Sequence, residues 1–388
     1  VKLFLARSNG QVVGRLATCV NFKHNGVHED KVGFFGFFDT PDDYDIAHAL
    51  LKVGMITLKK EGMEKMRGPM NFSTNHECGF LVEGFDRPPA VMMTYNHPYQ
   101  VKLAERFGLK KVMDLLAFEI VEETGIPERI QRVADNMRER SRIAIRSLRM
   151  SEFDEEIRRV KAVYNNAWSD NWGFVPMDDD EFAHLGVNLK QIVEPDLVLI
   201  AEHDGQPVAF SLALPDINQA LIRLKGRLLP FGLLKLLWHT KIRNKIDTAR
   251  LITFGVIPEF QKRGIDSMLF IETFNRGVAR GYRRAEMSWV LETNDLMCRG
   301  CEEMGGKIYK KYRIVEMPLS TRAEFARNIR EAMIPTKRYT PILLALLFAG
   351  ACTSRYRMDL FMTTPESTRK VKVEATEFVQ DAVISDPY

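Results

Sequence analysis

Residues 250–270, RLITFGVIPEFQKRGIDSMLF, limit what this chain can fold into more than any other stretch. Residues 251–257 are β-branched and aromatic, which predicts a strand. Pro258 has no N–H for a ladder and stops it. Met268, Leu269 and Ile271 give the following helix, opening near Gly264, a buried face. Between strand and helix lies Gln261-Lys262-Arg263-Gly264-Ile265-Asp266. A loop that enters a helix presents unpaired N–H groups beside the positive end of the helix dipole, which suits an anion. Gly264 lets the backbone come close to a ligand, and Lys262 and Arg263 add charge. The ligand this predicts is a pyrophosphate.

V-x-P-E-x-Q-K-R-G-I resembles the acetyl-CoA pyrophosphate loop of the GNAT acetyltransferases, written Q/R-x-x-G-x-G/A. Gln261 and Gly264 fit the pattern. Asp266 departs from it, standing where the family has Gly or Ala, and a carboxylate there repels a pyrophosphate. The resemblance implies acetyl-CoA as cosubstrate and transfer of its acyl group to a small-molecule amine.

The 388 residues suggest two domains. A hydrophobic content of 45% with 27% charged residues is that of a globular protein. The net charge of +4 is mild, and no basic run interleaved with aromatics points to nucleic acid. Five scattered cysteines fit a reducing, cytoplasmic setting and not a disulfide framework. No signal peptide is visible, and no run reaches the ~18–20 apolar residues of a membrane span. The chain starts at Val1 and runs directly into a strand, as a trimmed or partial sequence would.

The order of elements repeats. Residues 2–22 read as a hairpin, 33–38 as an apolar strand, and 39–60 as a capped helix. Residues 66 onward and 91–94 read as strands, 98–107 as a helix, and 113–122 as a strand. After a basic connecting helix at 128–142, the second half has its own hairpin at 197–214, strand and helix at 251–280, strand at 284–291, helix at 295–304 and strand at 307–317. LARSNGQVVGRLA matches LIAEHDGQPVAFSLA in rhythm, and LAERFGLKKVMDLLAFEI matches CEEMGGKIYKKYRIVEMPL. The expected fold is α/β: two tandem GNAT-like mixed-sheet domains with flanking helices. Residues 1–124 form a degenerate copy, 125–142 a connecting helix, 143–320 the acetyltransferase domain, and 331–388 a tail outside the repeats. In the first copy the loop position holds Asp39-Thr40-Pro41-Asp42-Asp43-Tyr44-Asp45, with four carboxylates and no glycine. That copy should not bind CoA.

Acyl transfer to an amine needs a base, donors for the oxyanion, and an acid for the thiolate. The backbone at Phe254, Gly255 and Val256 supplies the donors, and the resemblance implies that Asn294 joins Gln261–Asp266 at the cofactor. On the strand at 285–291, alternation places Glu286, Ser288, Val290 and Glu292 on one face and Met287, Trp289 and Leu291 on the other. Glu292, at the strand's C-terminal end, is the candidate base. For the acid, the resemblance points to a Tyr slot that Cys301 fills here, with Tyr309 and Tyr312 as substitutes. Trp168, Asp170 and Trp172 lie in the loop that lines the acceptor pocket in the family and can hold a cationic or amphipathic acceptor. The polar runs at 67–79 and 95–99 are either loop polarity or an acceptor-binding rim. No metal site is expected, since His76, Glu77 and Cys78 are adjacent and Cys298-x-x-Cys301 lacks further ligands.

Two segments stand apart. Residues 228–238, flanked by basic side chains, form an amphipathic stretch that can lie on a membrane surface, cover an acyl chain or pack between the halves. Residues 333–352 read as a basic start, an apolar run and Ala-Gly-Ala-Cys352, the pattern of a lipoprotein signal. They mark either a second reading frame or an apolar helix on the core, and residues 353–388 are expected to be poorly ordered. Besides acetyl transfer, two functions stay open: a non-catalytic CoA- or acyl-binding protein, and a long-chain acyltransferase.

Overall fold

The computed structural model describes residues 1–190, 192–226, 246–319, 360–362 and 371–376. The segment 228–238, the lipoprotein-like run at 333–352 and most of the tail lie outside the described residues. The chain divides into two compact units. The first comprises 1–72, 99–110 and 315–388, and the second 73–98 and 111–314.

The first unit opens with the hairpin β1 (Lys2–Ser8) and β2 (Gln11–Cys19). The short helix α1 (Phe22–His28), not foreseen in the sequence, is capped by Asn21. Strand β3 (Val32–Asp39), helix α2 (Tyr44–Lys60) and strand β4 (Lys65–Gly68) form a parallel crossover. Asp43 caps α2, its carboxylate accepting from the amides of Asp45 and Ile46.

The next elements are β5 (Phe80–Glu83), α3 (Pro98–Phe107) and β6 (Lys110–Val121). The expected strand at 91–94 is instead irregular, with Met92 at φ +58°. The Val91 amide donates to Asp216 at 2.8 Å, and its carbonyl accepts from Arg250 at 2.7 Å. Two buried side chains thus take the place of a ladder.

The second unit continues with α4 (Glu128–Arg140), β7 (Ile143–Ser147), α5 (Phe153–Ala167) and α6 (Asp179–Leu189). The hairpin β8 (Val198–His203) and β9 (Gln206–Pro215) leads through α7 (Asn218–Leu221) to β10 (Thr248–Val256). Helix α8 (Ile265–Ala279), β11 (Arg284–Leu291), α9 (Asp295–Glu303) and β12 (Lys307–Pro318) follow. Strands β10 and β11 are parallel and joined through α8, repeating the β3–α2–β4 crossover. This is the mixed α/β layout, strands flanked by helices, that the sequence implied.

Two strands depart from a simple reading by halves. In the second unit β6 lies between β12 and β11, so a strand that the sequence reading assigns to the first copy is built into the sheet of the second unit. Conversely, residues 315–318 of β12 pair with β4 in the first unit. The tail returns as β13 (Leu360–Met362) and β14 (Val371–Thr376), the latter antiparallel to β1.

The second unit buries apolar side chains on both faces of its sheet. On one side Leu251, Met287 and Val290 pack with Met268, Phe270 and Ile271 of α8. On the other Val160, Val163 and Tyr164 of α5 pack with Ile200, Phe210 and Leu212. A bulge in β11 between Ser288 and Val290 breaks the expected alternation. Val290 joins Met287 on the α8 side, whereas Trp289 lies beneath the Arg250 guanidinium, which also bonds Ser288.

Candidate active site

Strands β10 and β11 pair in four rungs, from Thr248↔Arg284 to Leu251↔Met287. Both strands then continue, to Val256 and Leu291, without further pairing to each other. A gap therefore opens beyond Leu251 and Met287. The Ile257 amide donates to Val208 on β9 at 3.0 Å. By two-residue alternation, Phe254 and Val256 turn their backbone groups away from β9 and into the gap. Their carbonyls are taken: Trp168 Nε1 donates to Phe254 O at 3.2 Å, and Gln261 Nε2 to Val256 O at 3.0 Å. Their amides point at whatever enters, an arrangement suited to a polarised carbonyl oxygen.

The loop after β10 is a short 3-10 turn, Pro258–Phe260, followed by Lys262 at φ +59° and Gly264 at φ +83°. Gly264 caps α8 with no side-chain hydrogen bond to its first turn. Glycine is needed for the left-handed backbone, and a Cβ would approach Val133 of α4 to 3.3 Å. Gly264 leaves the Ile265 and Asp266 amides uncapped, unlike the Asp45 and Ile46 amides of α2, which Asp43 occupies. Lys262 and Arg263 are exposed, with Arg263 over the Phe260 ring at 5.2 Å. Ile265 is buried and anchors the helix start. Asp266 turns one carboxylate oxygen back to the Ser267 amide at 2.9 Å.

A buried polar cluster sits at the foot of the gap. Arg250 and Glu286 are register partners, both 2% exposed. Arg250 Nε donates to Ser288 Oγ at 2.9 Å and lies 3.6 Å from Glu286 Oε1. The Ser288 hydroxyl donates to Glu286 Oε1 at 2.6 Å, and the Tyr309 hydroxyl donates to Glu286 Oε2. Burial pushes the Glu286 carboxyl above its ordinary range, partly opposed by Arg250. Ser288 is the first residue of β11 past the last rung. Nearby, Thr253 Oγ1, Trp289 Nε1 and the Tyr312 hydroxyl are buried with no hydrogen-bond partner among the described residues. Unpaired buried polar atoms of this kind suit a site that a ligand completes.

The other sequence candidates lie elsewhere. Glu292 accepts from Lys111 Nζ at 2.7 Å and from the Asp114 amide at 3.0 Å, outside the cluster. Cys301 is fully buried, its Sγ 3.7 Å from Met287 Sδ, and burial raises its thiol pKa. Asn294 caps α9, its side chain accepting from the Met297 amide. Trp168 covers β10, whereas Asp170 is exposed and bonded only locally, to Ser169, among its recorded hydrogen bonds. Trp172 is half-buried in the same loop. That loop is held by the polar run foreseen as a rim. Thr74 Oγ1 donates to Gly173 O, Asn75 Nδ2 donates to Val175 O, and the Tyr164 hydroxyl donates to Asn75 Oδ1. Arg250, Glu286 and Ser288 were not foreseen as site residues. Arg250 and Glu286, two charges inside apolar strands, were the available signal.

No family model matches the chain. It is 37% identical over 319 residues to Protein YghO of Escherichia coli K12, covering 81% of both chains. It is 37% identical over 324 residues to the bacterial ceramide synthase of Caulobacter vibrioides, covering 82% of this chain and 84% of that one. Among solved structures, a GCN5-related N-acetyltransferase from Sphaerobacter thermophilus aligns over 81% of this chain and 79% of its own, with 13% identity and a TM-score of 0.48.

Proposed function

Starting from the fact that the chain belongs to the family of the bacterial ceramide synthase and Protein YghO, we propose that it is an acyl-CoA-dependent N-acyltransferase. Its acceptor is the amine of a long-chain amino alcohol, and its product an amide. One observation carries the reading within the molecule: β10 and β11 part beyond Leu251 and Met287, beside a helix start whose N-cap, Gly264, has no side chain to occupy its amides. A pyrophosphate would lie against the first turn of α8, with Lys262 and Arg263 adding charge. The thioester would enter the gap with its carbonyl oxygen toward the Phe254 and Val256 amides.

The amine nitrogen attacks the thioester carbon, and the carbon–sulfur bond breaks as the amide forms. The Ser288 hydroxyl, bonded to Glu286, takes the amine proton as it passes its own to the carboxylate. The same pair returns a proton to the departing thiolate. The raised pKa of Glu286 makes its carboxylate a stronger base than an exposed one, as a group that takes up and returns a proton needs. Tyr309 and Arg250 position that carboxylate.

Purified protein with acyl-CoA donors from acetyl to palmitoyl, and a long-chain amino alcohol, should release free thiol and yield the amide by mass spectrometry. No thiol release and no acyl-CoA binding at any chain length would sink the proposal. Binding without turnover would favour a non-catalytic acyl-CoA-binding protein.

A further inference from the structure

We infer that an apolar cavity between α8 and the first halves of β10 and β11 houses the acyl chain of the donor and sets the chain length accepted. The inference rests on the acyl-CoA reading above and names the part of that site which measures the acyl group. The cavity is apolar along its walls and open at its mouth. Leu251 and Met287 line it, and they form the last rung before the strands part. It therefore begins where the gap begins. Phe270, Phe274 and Gly277 of α8 form the opposite wall. The cavity extends back along β11 to Arg284, three residues or about 10 Å. There Glu122 and Arg283, joined as an ion pair, stand at its rim.

The chemistry of the walls selects hydrocarbon. The one hydroxyl of α8 in the lining, Thr273, is already bonded to Ser211 at 2.8 Å. A polar ligand there would lose water and find few partners, which is unfavourable. An alkyl chain loses nothing and fills space that a close-packed interior would otherwise leave empty. Phe254, stacked on Phe270 with centroids 4.4 Å apart, gives an apolar wall from the gap to the cavity. A thioester held by the Phe254 and Val256 amides would thus have its alkyl tail directed along apolar surface. The competing occupant is the hydrocarbon tail of the amine.

Gly277 provides the test. A Cβ built there meets nothing within 4 Å, so a larger side chain enters the void and not a neighbour. Replacing a helical glycine also favours the helix. The affinities of palmitoyl-CoA and of CoA itself would be measured by isothermal titration for the wild type, Gly277→Phe and Phe274→Ala. Each buried methylene is worth roughly fourfold in affinity. Gly277→Phe should weaken palmitoyl-CoA at least about tenfold while leaving CoA within about twofold. Phe274→Ala, which enlarges the cavity, should keep or strengthen long-chain preference and guards against a folding defect in the first variant. Where turnover is present, the donor-length profile should move the same way. The inference fails if both variants keep the wild-type ratio of palmitoyl-CoA to CoA affinity. It also fails if the profile shifts with amine length and not donor length. Absence of turnover in the wild type would count against the transferase reading alone, because the affinity ratio needs no chemistry.

Discussion

Arg250 and Glu286 face each other across the parallel strands β10 and β11, each 2% exposed, with Arg250 Nε 3.6 Å from Glu286 Oε1. A buried pair of this kind is weak support for stability, because two charges have left water. Its placement at the last rungs before the gap gives it another use. It holds a carboxylate of raised pKa next to Ser288, at the point where the acyl group and the amine would meet.

Glu286→Gln is therefore expected to reduce turnover by at least about a hundredfold, the range of a lost general base, with acyl-CoA affinity within about twofold. Thiol-release kinetics and calorimetry on the same variant check this. Arg250→Met leaves the carboxylate unpaired and should destabilise the fold by about 3–5 kcal/mol in urea unfolding. A Glu286→Gln variant with full turnover would remove Glu286 from the chemistry.

Asp216 gives a pH dependence with a definite sign. Burial raises its carboxyl from 3.8 to about 6, against two backbone amides that favour the charged form. A raised folded-state pKa gives stability that is complete below 3.8 and lost as pH rises through about 6. The difference amounts to roughly 3 kcal/mol at most. Asp216→Asn keeps an acceptor for the Val91 and Asn218 amides but cannot ionise. It should unfold at higher urea than the wild type at pH 8, with the two curves converging at pH 4. Parallel curves across that range would show that Asp216 does not titrate this way.

The two crossover helices predict the stoichiometry of CoA binding. Asp43 takes the Asp45 and Ile46 amides of α2, while Gly264 has no side chain to take the Ile265 and Asp266 amides of α8. Calorimetry should give one CoA per chain. Gly264→Ala forces a side chain into a left-handed backbone, a strain of about 1–2 kcal/mol, and should weaken binding about tenfold. Asp266→Asn removes a charge near the pyrophosphate and should strengthen binding, most clearly at low salt.

Trp168 and Cys301 make a contrasting pair. Trp168→Phe removes the donor to Phe254 O and should lower kcat/KM by about tenfold, the value of one lost hydrogen bond in a half-buried site. Cys301→Ala removes a thiol packed on Met287, away from the polar cluster. It should retain turnover within about twofold while costing about 1–2 kcal/mol in stability. Loss of turnover with unchanged stability would restore Cys301 as the acid.

What the sequence determined by itself is local. Pro258, Gly264 and the apolar period of residues 265–271 set where β10 ends and α8 begins, because backbone freedom and side-chain periodicity act over a few residues. The acidic first-half loop is legible for the same reason. The tertiary structure decided what depends on partners far along the chain. Val91 was read as part of a strand, and its backbone is satisfied by Asp216 and Arg250, more than a hundred residues away. Alternation along β11 failed at a bulge that only its pairing with β6 reveals. Glu292 read as a strand-end base, yet Lys111 of β6 holds it in an ion pair. The cluster of Arg250, Glu286, Ser288 and Tyr309 exists because β10, β11 and β12 bring their side chains together over β6, and no spacing in the sequence encodes that meeting.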